Sequence, residues 1–471
     1  MPIGGGDKRA GCLMQARLLA SVALSASFLA AFVPAPVRAE TLGQAMGEAY
    51  NNNPQLQSQR ANLRATDEEV PQALSGWRPT VQTTNSIGRE YYENTPPSVT
   101  ALPSTYISPY TVDLNVTQPV YQGGATVAKT AAAEAAVQSQ RATTLSTEGT
   151  VLFGVAQAYF DVLRDQAVVQ LNINNEQVLR RQLEATNDQF RVGSVTRTDV
   201  AQAEARLAAA TASREQAEGT LQTDRAEYVR AVGRPPEHLT PPTLRPTLPA
   251  TRDEALALAS TKNPSVIAAV FNEDSARATV KATRAQLLPS VSIVADVNRA
   301  QDSVVPGRET TTGSVVAKLT MPLYEAGLIY SQTRQAEENV GVQLGQTDNA
   351  RRQAVQLATQ AWETIQAARA SIVSLRSTIS AAQIALEGTR QQQQVGTRTV
   401  LDVLNAEQEL FTDQVSLATA QHDLAVAEFN LSQQVGTLTA SDLKLPVKLY
   451  DVDVHYNSVR DKWLGFGHKD Q

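Results

Sequence analysis

The chain has 471 residues, 42% of them hydrophobic but only 5% aromatic, with a formal net charge of −6 and one cysteine. So few large rings argue against an ordinary aromatic-filled globular core, and Ala, Gln, Thr and Ser carry the bulk instead. The acidic balance argues against a nucleic-acid binder. His238, His422, His455 and His468 lack metal-ligand spacing, and without a nucleophile elbow or phosphate loop an enzyme has no support.

Residues 1–39 combine a basic start (Lys8, Arg9, Arg17), an apolar run from Leu18 to Val33, and Val37-Arg38-Ala39 before Glu40. This pattern predicts a secretory signal peptide cleaved after Ala39; the run is too short and too broken by serines for a membrane anchor. Its removal takes away Cys12 and leaves an exported chain of net charge −9 with no thiol or disulfide chemistry.

Thr41 to about Ser75 reads as helix interrupted at Asn53-Pro54, and Thr251 to Gln286 repeats it with Asn263-Pro264, because proline favours the first helical position. Periodicity then changes to two. Tyr110, Val112, Leu114 and Val116 alternate with polar residues, as do Val291, Ile293, Ala295 and Val297 with Val294 as the exception, and Val315, Ala317, Leu319 and Met321. With a weaker strand over about Thr80–Arg89, each half has one hairpin, with loops expected around Tyr91–Ile107 and Ala300–Thr312. Strands of this length can cross a bilayer, but four cannot close, so a membrane reading needs strands from other copies. Three copies give twelve strands and two give eight; spacing alone leaves both open, together with a soluble hairpin pair.

No proline occurs from Val120 to Arg234 or from Leu323 to Leu445. Gly124 to Gln189 predicts a rod of roughly 100 Å followed by a returning helix of about half that length. Val403, Leu410, Leu417, Leu424 and Leu431 recur every seven residues, and Val200, Leu207, Leu221 and Tyr228 hold the equivalent places, with Arg214 breaking the series. That is a narrow coiled-coil seam on otherwise polar helices, suited to a wall one helix thick or to a fibrous stalk.

The halves are a tandem duplication at a shift of 203 residues, which carries Tyr121 to Tyr324, Gly193 to Gly396, Asp199 to Asp402 and Val232-Gly233 to Val435-Gly436. The Asn-Pro pairs are offset by 210, so seven extra residues lie between Pro79 and Pro119. The expected organisation is a first repeat over 40–233, a proline-rich linker over 234–250, a second repeat over 251–436 and a tail over 437–471 that packs on the helices.

With two hairpins, two long helix pairs, the exits Pro119-Val120-Tyr121 and Pro322-Leu323-Tyr324, and two Val-Gly turns in this order, the chain resembles the TolC family of bacterial outer-membrane channel-tunnels. The resemblance implies a mainly α fold with a membrane β-barrel portion. It also implies a homotrimer whose 12-stranded barrel in outer-membrane lipid continues into a 12-helix periplasmic tunnel. The implied function is an exit duct for efflux or type I secretion, without cofactor. A periplasmic adaptor would dock at the tip formed by Val192, Gly193, Val395 and Gly396 and connect the duct to an inner-membrane pump or ABC transporter.

By the same resemblance, Arg398 ties neighbouring helices to Thr198 and Asp199, and Asp402 forms a ring of carboxylates at the periplasmic gate. Asn405 stands where the family has a second acidic ring, and Gln393 where it has a gate tyrosine. The contrasting reading, a trimeric coiled-coil adhesin or stalk, fits less well because a hairpin interrupts the helices in each half.

Overall fold

The computed structural model describes residues 40–93, 105–303 and 307–466; the leader assigned to residues 1–39 lies outside them. Asn53 and Asn263 set the pattern of both repeats. Asn53 ends α1 (Leu42–Asn52) and starts α2 (Pro54–Asp67), where its side-chain oxygen accepts the Gln55 amide at 2.9 Å. A short α3 (Glu69–Leu74) then leads through a 3-10 turn into the sheet.

The strands are β1 (Thr80–Ile87), β2 (Glu90–Tyr92), β3 (Thr105–Ile107) and β4 (Tyr110–Gln122). A glycine turn at Gly123-Gly124 then opens α4 (Ala125–Arg191), and α5 (Arg197–Val232) returns from the far end. In the second half come α6 (Arg252–Lys262), α7 (Pro264–Arg284), β5 (Ser290–Gln301), β6 (Glu309–Thr320), α8 (Leu328–Gln394) and α9 (Val400–Gln434). Asn263 repeats the joint by accepting the Ser265 amide at 2.9 Å. α4 and α8 have 67 residues each, so each rod is about 100 Å long.

The main sheet has the order β1-β4-β5-β6, all antiparallel, so the two hairpins join edge to edge through β4 and β5. Cross-strand partners share a face: Val81 lies beside Val116, Leu114 beside Val297, and Ala295 beside Val315. The opposite face carries Asp113, Asn115, Asp296, Asn298 and Ser314. Val294, the exception in the sequence pattern, pairs with Val316 on that polar face, so two misplaced apolar residues cover each other.

The loops are shorter than expected from the pattern. β5 and β6 run on to Gln301 and from Glu309, because antiparallel pairing extends through the polar ends Arg299-Ala300-Gln301, where Arg299 bonds Glu309 at 2.7 Å. In the first half, β2 and β3 pair as a separate ribbon with Tyr91 and Tyr106 rings 5.1 Å apart.

Nearer the sheet the helices pack in the order α2, α4, α7, α8; nearer the reversal turns the order is α5, α4, α9, α8. Each level therefore has four helices, matching four strands. The largest buried cluster lies where the levels meet and holds Leu42, Met46, Tyr159, Phe160, Tyr228 and Phe429. Among the described residues no helix is long and apolar enough to cross a membrane.

The tail belongs to this belt. Leu438, Leu443 and Leu445 enter the cluster, and the Ala440 amide donates to Glu148 at 2.7 Å. α10 (Val452–Val459) sets His455 against the buried Asp67 at 2.9 Å. The seam is also only partly the one expected. Val403 and Leu431 are buried but Leu410, Leu417 and Leu424 are half-buried, while Arg214 reaches across to Glu176 on α4 at 2.7 Å.

Gly396 and Gly436 both have positive φ, +80° and +77°, but their surroundings differ. A Cβ at Gly396 meets nothing within 4 Å, whereas one at Gly436 strikes the carbonyl oxygen of Lys262 and lies 3.1 Å from Pro264. Gly396→Ala should cost only the left-handed backbone penalty of about 1–2 kcal/mol. Gly436→Ala should lower the thermal midpoint clearly more in paired melts, and equal shifts would contradict the close approach.

Candidate functional site

The two helix reversals have the same construction. α4 ends with Ser194 N–H bonded to Gln189 C=O at 2.9 Å and Gly193 N–H to Phe190 C=O at 3.0 Å; α8 ends with Thr397 bonded to Gln392 and Gly396 to Gln393 at the same distances. This paired bonding past a left-handed glycine satisfies carbonyls that would otherwise end the helix unpaired. It leaves Val192 and Val395 80% and 75% exposed at the extreme tip.

The next helices start with matching capping boxes. Asp199 accepts from the Thr196 backbone N–H at 2.8 Å while the Asp199 N–H donates to the Thr196 hydroxyl; Asp402 does the same with Thr399 at 2.9 Å. These bonds from the Thr399 backbone and hydroxyl, aided by Arg398, lower the Asp402 pKa below its ordinary value. Beneath the tip, Val400 and Leu404 of α9 pack on Leu179, Ala203 and Ala210, so the second reversal leans on the first helix pair.

Within one chain Arg398 does not reach Thr198 or Asp199. Its Nε donates to Gln392 at 3.3 Å and Nη1 lies 3.9 Å from Asp402. Thr198 is exposed, and the side chain of Gln393 makes no hydrogen bond among the described residues. Asn405, in contrast, is engaged: Arg206 on α5 donates to it at 2.9 Å, joining the two halves. Sequence reasoning missed Arg206, and also Arg390, which bonds the buried Glu407 at 2.9 Å. For Arg206 the signal available was a cation about two turns past the capping box of α5; Arg390, near the end of α8, carried no such mark.

Higher on the rods, Arg164 of α4 bonds Asp161, Asp165 and Asp224 at 2.9, 2.8 and 2.9 Å. His422 of α9 closes the cluster, with Nε2 2.9 Å from Asp161 and Nδ1 3.0 Å from Asp423. Burial opposes charge on His422, but the carboxylates of Asp161 and Asp423 outweigh it and raise its pKa. Desolvation, then Asp165 and Asp161, push Asp224 up to about 6 against the pull of Arg164. No group of His, Cys, Asp and Glu among the described residues is arranged to hold a metal ion.

The family model described as outer membrane efflux protein matches residues 45–234 and 255–437, which are the two helical repeats with their strands. The chain belongs to the outer membrane efflux protein family. It is similar to the outer membrane efflux protein BepC of Brucella suis, 34% identical over 422 residues that cover 89% of this chain and 90% of BepC. It is 26% identical to TolC of Escherichia coli over 84% of this chain and 82% of TolC. The crystal structure of the Campylobacter jejuni CmeC outer membrane channel shares the fold with a TM-score of 0.77, at 15% identity over 90% of this chain and 89% of that one. This outer membrane efflux protein is thus a channel of the Gram-negative outer membrane that extends into the periplasm, and not an enzyme.

His422 and Asp224 give the family scaffold a pH dependence. His422 stabilises the fold fully below its ordinary value and loses that contribution as pH rises through its raised value. Asp224 adds a penalty as pH rises from the ordinary carboxylate range through about 6. Hydrogen exchange in 158–168 and 418–426, corrected for intrinsic rates, should show more protection at about pH 6 than at about pH 7.5. His422→Gln should remove part of that difference, and an unchanged profile in the variant would contradict the assignment.

Proposed function

We propose that the protein is the passive outer-membrane exit duct of an efflux or secretion machine, formed by three copies and energised by an inner-membrane transporter joined through a periplasmic adaptor. The observation that carries this is the match of four strands to four helices at each level, with both outer strands exposed along their length. Strands of 12 residues span about 30 Å at a tilt near 40°, which fits a hydrocarbon core. An eight-stranded barrel is just wide enough to be filled by its own side chains, so two copies would leave no duct, whereas three give twelve strands.

The exposed Val192 and Val395, presented on paired glycine turns, suit apolar docking of an adaptor at the tip. Arg398 is held only by its own turn, through contacts of 3.3 and 3.9 Å, and is free to exchange these for Thr198 and Asp199 of the neighbouring copy when the duct is shut. Asp402 from each copy then sets the charge of the entrance. Asn405 is a neutral amide, so it adds no acid beside Asp402, and its oxygen is taken by Arg206.

Single-channel conductance in planar bilayers tests the gate. Arg398→Ser should raise conductance, and Asp402→Asn should remove most block by multivalent cations added on the periplasmic side while keeping an acceptor for the Thr399 amide. Asp402→Ala should relieve block equally but also speed exchange of the Thr399 amide, because it removes the N3 arm of the capping box. Unchanged conductance together with unchanged block would leave Arg398 and Asp402 as ordinary surface charges.

A further inference from the structure

An open pocket of about 550 Å3 lies where the sheet gives way to helices, lined by Gly123, Lys281, Arg284, Leu288, Tyr330 and Arg334. Gly123 directly follows the end of β4, and Leu288 precedes β5 by two residues, so the pocket begins at the strand ends. A headgroup layer is about 6 Å thick on each side of the hydrocarbon, which places this pocket at the periplasmic headgroup level. Trp77, Tyr121, Tyr324 and Tyr330 are exposed near the same junction, the arrangement expected of an interfacial aromatic belt.

Of the three cations lining the pocket, two have no ion pair among the described residues. Arg284 is paired with Glu337, but Lys281 and Arg334 form no ion pair among the described residues. Lys281 lies in the last turn of α7, where a cation complements the helix dipole. Arg334 has no such explanation, since it sits in the second turn of α8, near the positive end of that helix. Lys281 and Arg334, without an ion pair among the described residues and beside the apolar surfaces of Leu288 and Tyr330, have the chemistry for an anionic phosphate diester carrying acyl chains.

We propose that this pocket binds the headgroup of an anionic phospholipid of the periplasmic leaflet, one per chain, with Lys281 and Arg334 on the phosphate. The assignment rests on the placement of the strands in the outer membrane. It anchors the junction between barrel and tunnel at a fixed depth, which a barrel without specific headgroup contacts would lack.

The test is native mass spectrometry of the full-length assembly released from phosphatidylethanolamine nanodiscs doped with phosphatidylglycerol. The wild type should retain about one phosphatidylglycerol per chain, and the double variant Lys281→Gln, Arg334→Gln roughly tenfold less. Equal retention in both, or equal retention of phosphatidylcholine offered in its place, would overturn the proposal. Displacement of the lipid by millimolar inorganic phosphate would overturn it too, by making the ligand a soluble phosphate. If the variant does not assemble, a photoactivatable phosphatidylglycerol should label 278–288 or 328–337 of the wild type, and labelling elsewhere alone would refute the site. The copy number read in the same spectra is independent of the lipid count, so failure of the duct reading is separately visible.

Discussion

Lipid offers no partner to a backbone amide, and that constraint governs the rest of this molecule. Each unpaired N–H or C=O in hydrocarbon costs roughly several kcal/mol, so a membrane sheet must have no edge. The four-stranded sheet here has two edges, β1 and β6, exposed on both faces. The strands alternate in direction, so in the proposed assembly β6 of one copy would meet β1 of the next antiparallel, and the same pairing would repeat around a closed ring. Because the strands are covalently continuous with α4, α7 and α8, closing the sheet also brings the helices into a ring.

Helices pack about twice as far apart as paired strands, so four helices per level make a wider wall than the four strands they match. Where the two helical levels meet, the duplication uses one joint twice. Asn53 caps α2 and also donates its amide to Ala231 C=O at 3.4 Å, at the end of α5; Asn263 caps α7 and donates to Gln434 C=O at 2.8 Å, at the end of α9. One residue thus fastens the helix ending from the tip to the helix beginning toward the membrane. Around the first joint, buried Glu40 accepts from Tyr228 and pairs with Arg234 at 3.0 Å, and the Tyr159 hydroxyl lies 2.6 Å from the Thr240 carbonyl. These contacts tie Glu40 and the proline-rich segment after α5 to α4 and α5.

Much of this was legible in the residues because the strongest local signals agree with the fold. The Asn-Pro starts, the two Val-Gly reversals, the proline-free rods and the alternation of β4 to β6 all carry mechanisms that act within a few positions. The ends of strands were less legible, because Arg299 and Glu309 pair across the hairpin and that partnership leaves no mark on either segment alone. The tail was read as helix-packing but its latch, His455 on Asp67, joins residues far apart in sequence. At the tip the glycines and capping boxes were visible, whereas the Arg206–Asn405 bond depended on how two separate helices lie side by side. The contact of Arg398 with Thr198 and Asp199, implied by the family resemblance, is not made within one chain, where Arg398 lies on Gln392 and Asp402 instead.

The mass of the intact, detergent-released assembly measures closure by three chains directly. Native mass spectrometry of the full-length protein should give one dominant species of three chains, with its strands protected from exchange at both β1 and β6. A monodisperse single chain that keeps the same strands and helices, or a stable pair of chains, would contradict it.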